Sequence, residues 1–532
     1  TRADASQGRP QNPGLMPASP ETPIARAAAH YGAREYDAAA RCALDIVAQT
    51  PAHFDALHLL GVLCLDRGLP ADAANYLERA ARLQPNNPLL NLNRGNAWLA
   101  LNLFGRATAA SRQILASDPG HVAALNNLGI ALGNQERPEE AIEAYRIALT
   151  HQPDYAPAHF NMAKALMTQG RLDEAEASYR GALRYLPATA PRNRISDIVR
   201  DLGRVLTEQD RPQEALELFL GEQTRRGETL DLGWYESLLY LQLGDYESGW
   251  RGYESRWLVA AHDKPRSDAT VPDIAAVAGK RILLLPEQGR GDIVQFARYA
   301  PLLAERGAIV HLSVYDDLKS LLSSLPGVAR IYGEDELEPA YDIVTPLLSL
   351  PLAFGTTIAT IPAKVPYLQV DPARVALWRT RLDGESRPSI GLTWSSTNPG
   401  AARMTRLEVL RPLLDHPTAS FHALQKEIGD VDLDFMRTDG RIRDHRSELL
   451  DFAETAALIE ALDLVITIDT AVAHVAGALG KPVWIMLPHV AEWRWLRHRE
   501  DSPWYPTARL FRQPAPGDWG GLVGRIAAAL GD

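Results

Sequence analysis

The chain has 532 residues, too many for one compact core at roughly 100–200 residues per domain. Apolar residues make up 46% and charged residues 23%, the balance of an ordinary soluble globular protein. With 55 Lys and Arg against 66 Asp and Glu, the net charge of −11 argues against broad nucleic-acid binding, which needs a basic footprint. No apolar run approaches the roughly 18–20 residues that span a bilayer. The opening residues do not read as a basic-then-apolar leader, and a start at Thr1 rather than Met reads as a trimmed chain. Two cysteines, Cys42 and Cys64, build neither a disulfide framework nor a four-ligand zinc site, so a reducing, cytoplasmic location is expected.

Residues 1–22 contain Pro, Gly and Ser without periodicity and read as a disordered tail. Regularity begins directly afterwards. Pro51, Pro85, Pro119, Pro153 and Pro187 follow one another at 34 residues, in phase with Ala39, Ala73, Ala107, Ala141 and Ala175. Gly61, Gly95 and Gly129 hold a third phase, with Ala163 in the next place. Small residues where helices touch, and Pro closing the second helix of each pair, predict an α-solenoid of tetratricopeptide type over 23–230. A sixth unit carries Leu202-Gly203, Ala215 and Phe219. Asn93, Asn127 and Asn161 keep the same spacing, which places three carboxamides along one face. They are candidates to hold an extended peptide backbone, since an amide both donates and accepts; the competing expectation is a bond to the adjacent helix. Trp234, Tyr235, Tyr240, Tyr246, Trp250, Tyr253 and Trp257 mark a capping and connecting segment over 231–274, expected to seal the last repeat and glue it to the second half of the chain.

From 275 onward, apolar runs alternate with amphipathic ones. Predicted strands are Arg281–Pro286, Ile309–Val314, Asp342–Val344, Ser389–Trp394, Phe421–Gln425, Leu464–Ile468 and Val483–Leu487, with a helical stretch over Ile293–Arg306. Two such alternations predict an α/β unit of two Rossmann-like lobes, 275–382 and 383–532, with a cleft between them. Ligands of such sheets bind at the carboxyl ends of the strands. Gly289-Arg290-Gly291-Asp292 ends the first strand, and Asp292 is either an N-cap or a cleft carboxylate. Asp469-Thr470-Ala471-Val472-Ala473-His474 turns a strand into a helix whose free amides suit a phosphate. Trp394, Ser395 and Ser396, with Arg403 and Arg406 beyond them, suit a diphosphate. Gln425-Lys426 ends the next strand and can reach a base or phosphate, and the loop after Leu487 carries Trp493, Arg494 and Trp495. Asp430, Asp432 and Asp434 read as a polar loop, and without HExxH, paired Cys/His, a Walker loop or GxSxG no metal site, triphosphatase or hydrolase is expected.

The solenoid, aromatic bridge and two lobes together resemble bacterial tetratricopeptide proteins carrying a GT-B glycosyltransferase domain, with a heptosyltransferase-like catalytic half. The motifs are Glu287-Gln-Gly-Arg-Gly-Asp292 and its continuation to Arg298, Ser349-Leu-Pro351, Ala456 to Gly477, Trp493-Arg-Trp-Leu496, Ser502-Pro-Trp-Tyr505 and Leu510-Phe-Arg-Gln513. The layout is similar to the eukaryotic protein O-GlcNAc transferases and to flagellin glycosyltransferases. The resemblance implies Asp292 as the base for the acceptor hydroxyl, with Gln288 and Arg290 beside the acceptor. It implies a donor site at Asp469, Thr470 and His474, and Arg403 at the leaving phosphate, although the family pattern is altered here to Ala402-Arg403-Met404 and Arg406 competes for that role. No metal or cofactor is implied beyond a nucleotide-sugar co-substrate, and inversion at the sugar carbon is the expected course. A protein O-glycosyltransferase with flagellin as the favoured acceptor leads; a transferase for a lipopolysaccharide-type glycan and an inactive scaffold are the alternatives.

Overall fold

The computed structural model describes residues 22–187, 189–226, 231–259, 266, 268–336, 340–396 and 404–531. The expected tail thus lies outside the described residues apart from Thr22. Packing divides the chain into two units, one ending at Asp231 and the other beginning at Leu232.

The described part of the first unit is a run of paired helices from Pro23–Gly32 to Pro212–Arg226. Local sequence sets where each begins. Pro70, Pro88 and Pro138 stand at helix starts, where a missing N–H costs nothing, and Asn87 caps its helix by accepting from the Leu90 amide at 3.1 Å. The in-phase alanines Ala39, Ala73, Ala107, Ala141 and Ala175 are all fully buried, as the period requires. The in-phase glycines permit close approach. A Cβ on Gly129 would stand 2.5 Å from the Tyr145 ring, and one on Gly61 would stand 2.5 Å from Leu77. Tyr145 is itself buried and has nowhere to retreat. Gly129→Ala should therefore destabilise the repeats by about 1–3 kcal/mol, although alanine is the better helix former by about 1 kcal/mol. A denaturation curve with unchanged or raised midpoint would show that the ring yields.

The asparagine series differs from the peptide-holding expectation. Asn93 shares a hydrogen bond with His58 at 2.9 Å, Asn127 donates to Asn96 at 2.7 Å and Asn161 donates to Asn126 at 2.9 Å. All three side chains are buried. The carboxamides face the helix of the preceding repeat because a buried amide must find a partner, and the repeat supplies one at each step.

In the second unit, helices Gly233–Leu243 and Tyr246–Tyr253 precede two parallel sheets. The first sheet holds β1 (Arg281–Leu285), β2 (Ile309–Ser313), β3 (Val328–Tyr332) and β4 (Ile343–Pro346), in the order β3-β2-β1-β4. The second holds β5 (Ser389–Thr393), β6 (Ser420–Ala423), β7 (Ile442–Asp444), β8 (Leu464–Ile468), β9 (Val483–Leu487) and β10 (Ala508–Arg512), in the order β10-β9-β8-β5-β6-β7. Both are Rossmann-like lobes, and β1, β5 and β8 are apolar runs, as interior parallel strands must be. Where one amphipathic stretch is expected, the chain forms two helices, Arg290–Phe296 and Tyr299–Glu305. The expected polar loop at Asp430 is instead the first turn of helix Asp430–Asp439, where carboxylates complement the helix dipole.

The aromatic segment is part of this unit's core. Trp250 lies 5.2 Å from Trp493 and 6.1 Å from Phe296, edge to face, so connector, first lobe and second lobe meet in one apolar cluster. Beside it, Arg298 is buried, donating to the carbonyls of Gln295 and Trp504 at 2.8 Å, to that of Pro362 at 3.2 Å and to the Tyr367 hydroxyl at 3.3 Å. Among the described residues no helix is long and apolar enough to cross a membrane.

Candidate functional site

In each sheet the strand order reverses at one place, between β1 and β4 and between β5 and β8. In sheets of this kind, loops leaving the carboxyl ends at such a place diverge, and the crevice between them is the general ligand position.

In the first lobe the β1 end carries Glu287, Gln288, Gly289 and Asp292. Glu287 is buried and its carboxylate receives Arg256 through Nε at 2.8 Å and Nη2 at 3.0 Å, plus the Leu348 amide at 2.8 Å. Arg256 is fully buried and also donates to Glu254 at 2.7 Å and Ser349 at 2.8 Å. Burial pushes the Glu287 carboxyl above its ordinary range even with Arg256 beside it. This network accounts for Glu287 and Ser349 in the motifs: they fasten the connector to the β1 and β4 ends. Gln288 takes a left-handed backbone (φ 59°), and its side-chain amide donates to the Tyr253 hydroxyl at 2.9 Å. Arg290 is exposed, pairs with Asp317 at 2.5 Å and lies 4.8 Å over the Tyr315 ring.

Asp292 does two things at once. One oxygen accepts the Gly289 amide at 3.0 Å, which caps the helix Arg290–Phe296. The other accepts Nη2 of Arg494 at 2.6 Å. Arg494 is nearly enclosed, donates through Nε to Gln295 at 3.0 Å, and also pairs with Glu492. Burial works to lower its pKa, but Glu492, Asp292 and Asp469 outweigh that and hold the guanidinium charged well above its ordinary range.

In the second lobe, β8 runs into helix Ala471–Ala478 with Thr470 at the N-cap. Asp469 and His474 are buried, with His474 Nε2 at 3.8 Å from Asp469 Oδ1 and His474 Nδ1 sharing a hydrogen bond with the Tyr505 hydroxyl at 2.9 Å. The Thr470 hydroxyl stands 3.3 Å from that of Thr467. At the neighbouring β5 end, Gln425 accepts from the Trp394 and Ser395 amides at 3.2 and 3.0 Å and donates to the Glu427 carbonyl at 2.7 Å. It therefore clasps the ends of β5 and β6. The Trp394 indole is fully buried and donates to Asp432 at 2.8 Å, so its ring belongs to the core and not to the crevice. The Ser396 amide donates to the Met404 sulfur at 3.3 Å, while Lys426 and Arg406 are exposed. Arg403 lies outside the described residues.

The two turns are in contact. Helix Arg290–Phe296 packs on helix Ala471–Ala478, and a Cβ on Gly291 would stand 2.7 Å from Cδ2 of His474 and 3.4 Å from Cα of Ala471. Gly291 is a glycine because the β1 and β8 turns approach this closely. Asp292, Asp469, Thr470, His474 and Arg494 thus form one cluster at the lobe boundary. Sequence reasoning places Arg494 on a loop that could face the cleft and Tyr505 within a motif, but gives neither a role in the cluster.

Comparison with known proteins places these features. The tetratricopeptide-repeat model matches residues 24–88, 92–156, 126–194 and 160–229. The solenoid is a tetratricopeptide-repeat array. The glycosyltransferase family 9 (heptosyltransferase) model matches residues 449–486, a span that holds β8, the Asp469-Thr470 turn and His474. Protein FlbA of Caulobacter vibrioides is 27% identical over 543 residues, which cover 96% of this chain and 89% of FlbA. These matches support a glycosyltransferase with tetratricopeptide repeats. Among solved structures, MamA is 23% identical over 30% of this chain and 93% of its own (TM-score 0.28). TTC0263, a tetratricopeptide protein of Thermus thermophilus, is 20% identical over 35% and 99% (TM-score 0.30). PilW, a type IV pilus biogenesis factor, is 20% identical over 38% and 91% (TM-score 0.34).

Proposed function

We propose that this chain is a cytoplasmic protein O-glycosyltransferase, moving a sugar from a nucleotide-sugar donor to Ser or Thr of a polypeptide recruited by the repeats. Flagellin is the favoured acceptor on resemblance alone. The observation that carries the reading is the apposition of the β1 and β8 turns through Gly291 and His474, which puts a carboxylate beside a helix start. The recruitment part rests on the solenoid as a protein-binding surface and not on its asparagines, each of which bonds a side chain of the preceding repeat.

In this reading the two lobes form a GT-B cleft. Asp292 takes the proton of the acceptor hydroxyl as that oxygen attacks the sugar carbon from the face opposite the nucleotide, which inverts the centre. The departing diphosphate gains negative charge, and the free amides of the first turn of Ala471–Ala478, the Thr470 hydroxyl and nearby cations stabilise it. No metal is needed when fixed donors do this work.

A thermal-shift panel with UDP, GDP, ADP, CMP and no ligand tests the donor site. A nucleotide at about 100 times its Kd should add roughly 2.7 kcal/mol of apparent stability. One selective nucleotide is the expected result and names the donor class. No shift with any of them at millimolar concentration would move the reading to an inactive scaffold.

A further inference from the structure

Resting on the assignment of Asp292 as base, we infer that Arg494 is a positioning residue that orients the Asp292 carboxylate and keeps it ionised, and that Glu492 sets how much of the Arg494 charge Asp292 receives. The geometry is specific. A guanidinium is a rigid fork, and here Nη2 meets Asp292, Nε meets Gln295 and Nη1 meets Glu492. Gln295 is fully buried and sits one turn beyond Asp292 on the same helix, so the fork is referenced to the element that carries the base. Arg494 retains only 7% of its side-chain exposure and Asp292 16%, whereas Glu492 retains 45%. The Arg494–Asp292 contact is therefore shielded from water and strong, while Glu492 stands at the solvent edge as a partial counter-charge.

Among the described residues, the charged and titratable groups around Asp292 include Arg494 and, behind it, Glu492 from the loop after β9; Tyr253 from the connector; Glu287 and Arg290 from its own turn; and Asp469 and His474 from the β8 turn. Arg494 contacts the carboxylate directly through a charged donor. A base must be unprotonated to act, so transfer rises with pH on its acid limb. A cation at this distance moves such a limb down by about one to three pH units.

The test measures transfer against pH for the full chain as wild type, Arg494→Met, Arg494→Lys and Glu492→Gln. Arg494→Met should shift the acid limb upward by about one unit or more, and Glu492→Gln should shift it downward. The two shifts have opposite signs. Arg494→Lys keeps the charge without the fork, so its limb stays near that of the wild type while kcat falls. Unmoved limbs in both charge variants, with Asp292→Asn inactive, would overturn the inference and leave the base assignment standing. If Asp292→Asn stays active, the base assignment itself fails. Should Arg494→Met not fold, Glu492→Gln and Arg494→Lys still decide the matter through the direction of the limb.

Discussion

Replacing Asp292 by Ala should lower turnover by about 10²–10⁴-fold, the usual contribution of a general base, while donor and acceptor still bind. The fold should tolerate the change. Arg494 keeps Glu492 and Gln295 as partners, so no buried cation is stranded, and the lost cap at Gly289 costs about 1 kcal/mol. Asp292→Asn preserves that cap and serves as the control. Calorimetric titration with donor and acceptor, run beside turnover, separates chemistry from binding. If both variants turn over normally, Asp292 is only a helix cap, and a cellular role indifferent to either would favour the scaffold alternative.

The largest expected loss of stability comes from Arg256→Met. Removing one member of a buried ion pair strands the other, at a cost of about 3–5 kcal/mol. Here Glu287 would be left with only the Leu348 amide on the oxygen it shares with Arg256, in a place that already disfavours its charge. Ten of the eleven tryptophans lie in the second unit and Trp98 alone in the first, so denaturant unfolding followed by tryptophan emission reports on the affected part. Arg256→Met with Glu287→Gln should recover part of the loss. A deficit within the 0–1 kcal/mol of a surface pair would show that water reaches the site.

The sequence is legible where side chains carry redundant signals. The 34-residue spacing reports helix pairs because the same small residues recur at the same contact, and the buried alanines occupy it. Interior strands such as β8 (Leu464–Ile468) are legible because both faces are covered. The three strands that the apolar pattern does not reveal, β3, β7 and β10, lie at sheet edges and carry charges such as Arg330, Arg443 and Arg509 on exposed positions. At the site, the two turns are readable as strand-to-helix junctions, but the spacing of Asn93, Asn127 and Asn161 does not say which way the amides rotate. Nor can any local pattern join Arg494 to Asp292, which stand 202 positions apart.

Arg298 bears on how firmly the second unit is knitted together. Its guanidinium is held by groups from the helix before it, from the stretch between the two sheets and from Trp504 beyond β9, and it is buried. Swinging one lobe away from the other would strip a desolvated cation of these oxygens. One side chain thus stitches stretches of chain up to 206 positions apart into a single seam.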